Sequence, residues 1–125
     1  MFMKLTKSLE DYIEAIYMIN ENGNVRLRDV AQKLEVKLPS ANQALNKLSE
    51  EKLIHYEKYG NIKLTVKGEK TAKEVYKKHE ALYKFLTEIL GVDKKIAQKE
   101  ACEMEHCLST QTIKKLIKFL KNRGS

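Results

Sequence analysis

Arg28-Asp29-Val30-Ala31-Gln32-Lys33-Leu34-Glu35-Val36-Lys37-Leu38-Pro39-Ser40-Ala41-Asn42-Gln43-Ala44-Leu45-Asn46-Lys47-Leu48 holds two short apolar periodicities with a three-residue break between them. Val30, Ala31 and Leu34 fall on one face of a first helix, predicted over about 28–34, and Ala41, Ala44, Leu45 and Leu48 on one face of a second. Pro39 suits the opening turn of the second helix, because its missing N–H has no partner there in any case. Two short helices around a tight turn form a helix-turn-helix. Outward, the second helix presents Ser40, Asn42, Gln43, Asn46 and Lys47.

Upstream, Leu9, Tyr12, Ile13, Ile16, Tyr17 and Ile19 recur at helical spacing, which predicts a helix from Ser8, read as its N-cap, to Asn20, ending near Asn22-Gly23. Downstream, 53–58 and 62–66 alternate as two strands around Tyr59-Gly60-Asn61, a hairpin wing. Helical periodicity returns from Lys67 to about Leu90, with Gly91 as C-cap. Asp93 then caps a helix predicted to run through Cys107. A last helix, capped by Ser109, separates Ile113, Leu116, Ile117 and Leu120 from Lys114, Lys115, Lys118 and Lys121. The expected fold is mainly α with a small β-hairpin wing: a winged helix-turn-helix domain over 1–70, then an all-helical dimerisation domain over 71–125. The later helices have more apolar surface than so small a unit can cover alone, which predicts a homodimer.

Composition narrows the function classes. The 125 residues are 42% hydrophobic and 33% charged, with one Pro and five Gly, so the chain can bury a core and is no linker or fibre. No apolar run approaches the roughly 20 residues of a membrane span. The first residues lack the apolar core of a signal peptide, so a cytoplasmic location is expected, with Cys102 and Cys107 reduced. A net charge of +7 on so small a chain favours a polyanion, with nucleic acid ahead of an anionic membrane surface.

Three groups of residues carry possible chemistry. Cys102, Glu105 and His106 stand at i, i+3 and i+4, so a thiol, a carboxylate and an imidazole share one helical face, as a transition-metal ion requires. The plain alternative is an amphipathic helix whose polar face happens to hold them. Asp11 and Glu14 share a face of the first helix, and His79 sits in the long fourth helix; either is ordinary on a solvated surface. Catalysis finds no support. Cys102-x-x-Glu105-His106 lacks the first His of the inverted zinc-protease motif, His79-Glu80 is followed by Tyr83 where a second His should stand, and no Gly-rich phosphate loop or G-x-S-x-G exists. For double-stranded DNA, Asn42 and Gln43 carry amides able to read an adenine edge and Ser40 can donate or accept. Arg28, Lys37, Lys47, Lys58 and Lys63 suit phosphates.

Ser8-Leu9-Glu10-Asp11-Tyr12-Ile13-Glu14-Ala15-Ile16-Tyr17, Pro39-Ser40, Leu64-Thr65-x-x-Gly68, His79-Glu80 and Ala101-Cys102-x-x-Glu105-His106-x-Leu108-Ser109 together resemble the diphtheria-toxin-repressor family. The resemblance runs from about Leu5 to Leu120. It implies a metal-dependent repressor of iron or manganese uptake genes, dimeric on a palindromic operator, with a metal site where the first helix meets the fourth and fifth. By position, Asp11, Glu14, His79, Glu105 and His106 match the manganese branch, in which position 102 would be Glu. Cys102 resembles the iron branch, which would have Met at position 11 and Glu and His where Tyr83 and Gln98 stand. The implied site is a hybrid taking Mn²⁺ or Fe²⁺, one or two ions per subunit. Pro39, Ser40 and Gln43 lie where the family's recognition helix meets base edges. The chain stops at Ser125 without the iron branch's further domain, so the short manganese-type layout is expected. The rival expectation is a metal-independent winged-helix regulator sensing a small organic ligand.

Overall fold

The computed structural model describes residues 5–20, 24–57 and 60–123, in two compact units that divide between Glu74 and Val75. The first unit opens with α1 (Lys7–Asn20). Its cap is Thr6, whose hydroxyl accepts from the Leu9 N–H at 3.2 Å, and not the expected Ser8, which is already helical. The predicted end at Asn22-Gly23 lies outside the described residues.

Strand β1 (Val25–Arg26) leads into α2 (Leu27–Leu34), where the Asp29 carboxylate accepts from the Arg26 N–H at 3.0 Å and closes the helix start. Glu35 stops α2 in the left-handed region at φ 55°, and the Val36 N–H returns to the Ala31 carbonyl at 2.9 Å. That three-residue turn delivers α3 (Leu38–Glu50), with Pro39 in its first turn as expected.

Strands β2 (Ile54–Tyr56) and β3 (Asn61–Leu64) form the wing and are shorter than expected. A third strand, β1, joins the far side of β3, giving the antiparallel order β1-β3-β2 with Val25 opposite Ile62 and Tyr56 opposite Ile62. Val66, expected as the last residue of a strand, instead opens α4 (Val66–Lys84). Thr65 ends the strand: its hydroxyl donates to the Lys52 carbonyl at 2.7 Å and accepts from the Gly68 N–H at 3.0 Å, capping α4. Gly68 is required by contact, since a Cβ there would lie 1.8 Å from the Leu53 carbonyl oxygen. Ile13, Ile16, Val25, Val30, Leu45, Leu48, Ile54 and Ile62 form the core of this unit.

In the second unit α4 ends in a π-helical turn (Phe85–Ile89), with the Leu90 N–H on the Phe85 carbonyl at 3.2 Å, and Gly91 follows at φ +71°. Asp93 caps α5 by accepting from the Lys95 N–H at 3.1 Å. Helix α5 (Lys94–Met104) is shorter than the predicted run to Cys107, because Glu105–Cys107 form a turn. Ser109 caps α6 (Thr110–Arg123) as expected, accepting from the Thr112 N–H at 3.1 Å. Leu82, Leu86, Ala97, Ala101 and Ile113 make the second core. Among the described residues, no helix is long and apolar enough to cross a membrane.

Candidate metal centre and nucleic-acid face

The second unit gathers four of the six expected ligands. His79 comes from α4, Cys102 from α5, and Glu105 and His106 from the turn that follows. Although α5 proper stops at Met104, the Glu105 N–H still bonds the Ala101 carbonyl at 3.0 Å, so helical geometry persists far enough to hold Cys102 and Glu105 on one side. His79 Nδ1 lies 3.1 Å from Glu105 Oε2, and His106 Nε2 lies 3.5 Å from Glu105 Oε1. Donor atoms of His79 and Cys102 lie within 4.8 Å of each other, as do those of Glu105 and His106.

Burial gives this cluster its electrostatic character. Glu105 is 2% exposed and His79 4% exposed. Among the described residues, Glu105 Oε1 accepts no hydrogen bond, and a buried carboxylate oxygen left in that condition costs desolvation energy until a positive group meets it. Burial works to lower the His79 pKa. The Cys102 thiol, the Glu105 carboxylate and the Gln98 amide bonded to the ring outweigh burial and push it up to about 11. In the metal-free protein His79 is therefore an imidazolium at neutral pH. The ring also stacks on Tyr83, with centroids 6.4 Å apart and planes 13° from parallel. Imidazole nitrogens, a thiol and a buried under-bonded carboxylate suit a divalent transition ion.

The first unit carries Asp11 and Glu14 on one face of α1, the former half-buried and the latter 5% exposed. Cys102 and Cys107 are free thiols; Cys107 is exposed and donates to the Glu103 carbonyl at 3.6 Å.

On the nucleic-acid side, α3 exposes Pro39, Ser40, Gln43, Asn46 and Lys47 together, with Lys37 at its start, and Arg28 on α2 and Lys63 on β3 are exposed as well. Lys58 lies outside the described residues. Asn42 is half-buried, and its amide oxygen accepts from the Tyr56 hydroxyl at 2.7 Å, so that oxygen serves the wing.

Two residues take parts not expected from sequence, in which Gln98 only stands in place of the iron branch's His. Gln98 Oε1 lies 3.1 Å from His79 Nε2; its signal is the spacing Gln98, Cys102, Glu105 along one face of α5. Tyr56 had no local signal, since its partner Asn42 is distant in sequence.

Residues 4–62 match the family model described as the iron dependent repressor N-terminal DNA binding domain, and residues 65–124 match that of the iron dependent repressor metal binding and dimerisation domain. The chain is 37% identical over 119 residues to an HTH-type transcriptional regulator of Methanocaldococcus jannaschii, covering 94% of this chain and 95% of the other. It is 40% identical over 112 residues to the HTH-type transcriptional regulator MntR of Bacillus subtilis, covering 89% of this chain and 78% of the other. Among solved structures, that of the manganese regulator SloR superposes with a TM-score of 0.79 at 31% identity, covering 95% of this chain and 55% of that one, so this chain spans about half its length.

Proposed function

The chain belongs to the iron-dependent repressor family, dimerising, metal-dependent, DNA-binding repressors of transcription, and we propose how its own residues carry that function. His79, Cys102, Glu105 and His106 hold a divalent ion together with Asp11 and Glu14, and the ion is Mn²⁺ or Fe²⁺, one or two per subunit. The observation that carries this reading is the Glu105 carboxylate, buried with one oxygen unbonded beside two imidazoles in a chain that also presents a helix-turn-helix. When bound, the ion supplies positive charge and directed bonds to nitrogen, oxygen and sulfur.

The residues do the rest. Asp11, Glu14 and Glu105 carry like charges and repel wherever they are brought together unneutralised. Ligation sets Asp11 and Glu14, on the helix that packs under the helix-turn-helix core, on the same centre as the dimerising unit's residues. The orientation of α3 relative to the dimer axis thereby comes to depend on the ion. Two recognition helices held about one DNA turn apart read a palindromic operator. Pro39, Ser40 and Gln43 face base edges, Asn42 offers its amide NH₂, and Arg28, Lys37, Lys47, Lys58 and Lys63 take phosphates. By linkage, operator DNA tightens metal binding by the factor by which metal tightens DNA binding. The regulated genes are those of metal uptake, and the work is done in the cytoplasm.

The test is binding of a palindromic duplex, selected from a random library, by chelator-stripped protein titrated with Mn²⁺, anaerobic Fe²⁺, Co²⁺ and Zn²⁺ at fixed salt. Tight binding arises only with metal and is lost in Glu105→Ala. Equal binding with and without metal would overturn the reading.

A further inference from the structure

His79 reaches the centre with both ring nitrogens engaged. Nδ1 is 3.1 Å from Glu105 Oε2, and Nε2 is 3.1 Å from Gln98 Oε1. An imidazole ligates one ion through one nitrogen, and the other, when the ring is 4% exposed, must keep its N–H on an acceptor. An amide oxygen can only accept, so Nε2 carries a proton whenever the bond to Gln98 stands. The nitrogen able to give up its proton is Nδ1, which faces Glu105, the carboxylate whose other oxygen accepts no hydrogen bond from the described residues.

Resting on the metal-binding reading above, we infer that Gln98 is a positioning residue that fixes which nitrogen of His79 meets the ion, holding Nε2–H so that Nδ1 is the ligand. Gln98 stands one helical turn before Cys102 on α5, and Glu105 follows in the turn that the Ala101 carbonyl ties to that helix, so one continuous element aims the ring and supplies other donors. Tyr83, one turn further along α4, stacks on the ring with the two planes 13° apart. The ring thus offers the centre one nitrogen and no more.

Two readouts test this on the full chain. With histidine ring nitrogens labelled and Zn²⁺ bound, long-range proton–nitrogen correlation is expected to show His79 with Nε2 protonated and Nδ1 on the metal. Gln98→Leu is expected to weaken Co²⁺ binding, measured against a competing chelator, roughly tenfold. Its thermal unfolding without metal should fall modestly below the parent's, because the buried Nε2–H of His79 loses its acceptor. Gln98→Glu, which restores an acceptor at the same reach, should recover the affinity and the ring pattern. Zn²⁺ found on Nε2, or Gln98→Leu with unchanged affinity and ring pattern, overturns the role of Gln98 and leaves metal binding standing. A parent chain that binds neither Co²⁺ nor Zn²⁺ overturns the metal-binding reading with it.

Discussion

The Tyr56 hydroxyl on the wing donates to the Asn42 amide oxygen on the recognition helix across 2.7 Å. An adenine edge asks Asn for a donor and an acceptor at once, and the bond from Tyr56 takes one of the two lone pairs of that acceptor and fixes the direction of the amide. The NH₂ stays available to the acceptors of a guanine edge or a phosphate. Tyr56→Phe removes the bond and is expected to lower stability by about 1 kcal/mol in urea unfolding. On a panel of duplexes it should also raise tolerance for adenine opposite Asn42. A variant with unchanged stability and unchanged base preference would show that the link does neither.

Gly68→Ala is expected to be among the costliest single-methyl additions in the chain. The new Cβ falls 1.8 Å from the backbone oxygen of Leu53, which no side-chain rotation relieves. A loss on the order of 2 kcal/mol or more follows from forcing the start of α4 off that carbonyl. Gly91→Ala is the contrast: open space around the Cβ, but φ +71°, so only backbone strain of about 1 kcal/mol is paid. Equal denaturation midpoints for the two variants would contradict this.

Proton release should accompany metal uptake. His79 is pushed up to about 11 from its ordinary 6.5, so the folded, metal-free chain binds this proton more tightly than the unfolded chain does. Its contribution to apo stability is complete below 6.5 and fades as pH climbs through about 11. An ion must displace that proton, so apparent metal affinity should rise at least about tenfold per pH unit between 6.5 and 8, and more steeply where the Cys102 thiol also gives up its proton to the ion. Chelator competition across that range reads the slope; a flat profile would mean that His79 gives up no proton.

Metal preference should follow the atom at position 102. With Cys102 as a ligand, the Co²⁺ form is expected to show a sulfur-to-metal charge-transfer band in the near ultraviolet, absent in Cys102→Ser. Cys102→Glu replaces a soft donor with a hard one and should raise the Mn²⁺ affinity relative to Co²⁺ and Zn²⁺. An unchanged ranking in Cys102→Glu, measured by competition, would remove the thiol from the set.

What could be read from residues alone divides along physical lines. The helix-turn-helix was legible because Val30, Ala31 and Leu34, and then Ala41, Ala44, Leu45 and Leu48, obey one period, and the Pro39 and Ser109 signals act within a single turn. Strand β1 was not, since a pair of residues, Val25–Arg26, displays no period and exists only because β3 lies beside it. Thr6 won the cap over Ser8 because Leu9, not a residue further along, supplies the unpaired N–H. Among the candidate ligands, Cys102, Glu105 and His106 advertised themselves by spacing. Asp11, Glu14 and His79 carried weight only through family resemblance, since nothing in their local spacing marks them off from a solvated face. The engagement of Asn42 by Tyr56 was hidden for the same reason.

The π-helical turn at Phe85–Ile89 leaves a mark on how this chain can change length. With the Leu90 N–H bonded five residues back, that turn holds one residue more than an α-helix needs. Excising a residue there restores ordinary spacing to the last turn and leaves the faces of Val66–Lys84 in phase. The same excision within Val66–Lys84 would rotate all that follows by about 100° and turn His79 or its partners away from one another. The helix therefore carries its own splice point at its end, a turn where a codon can be lost without rewriting the face that precedes it.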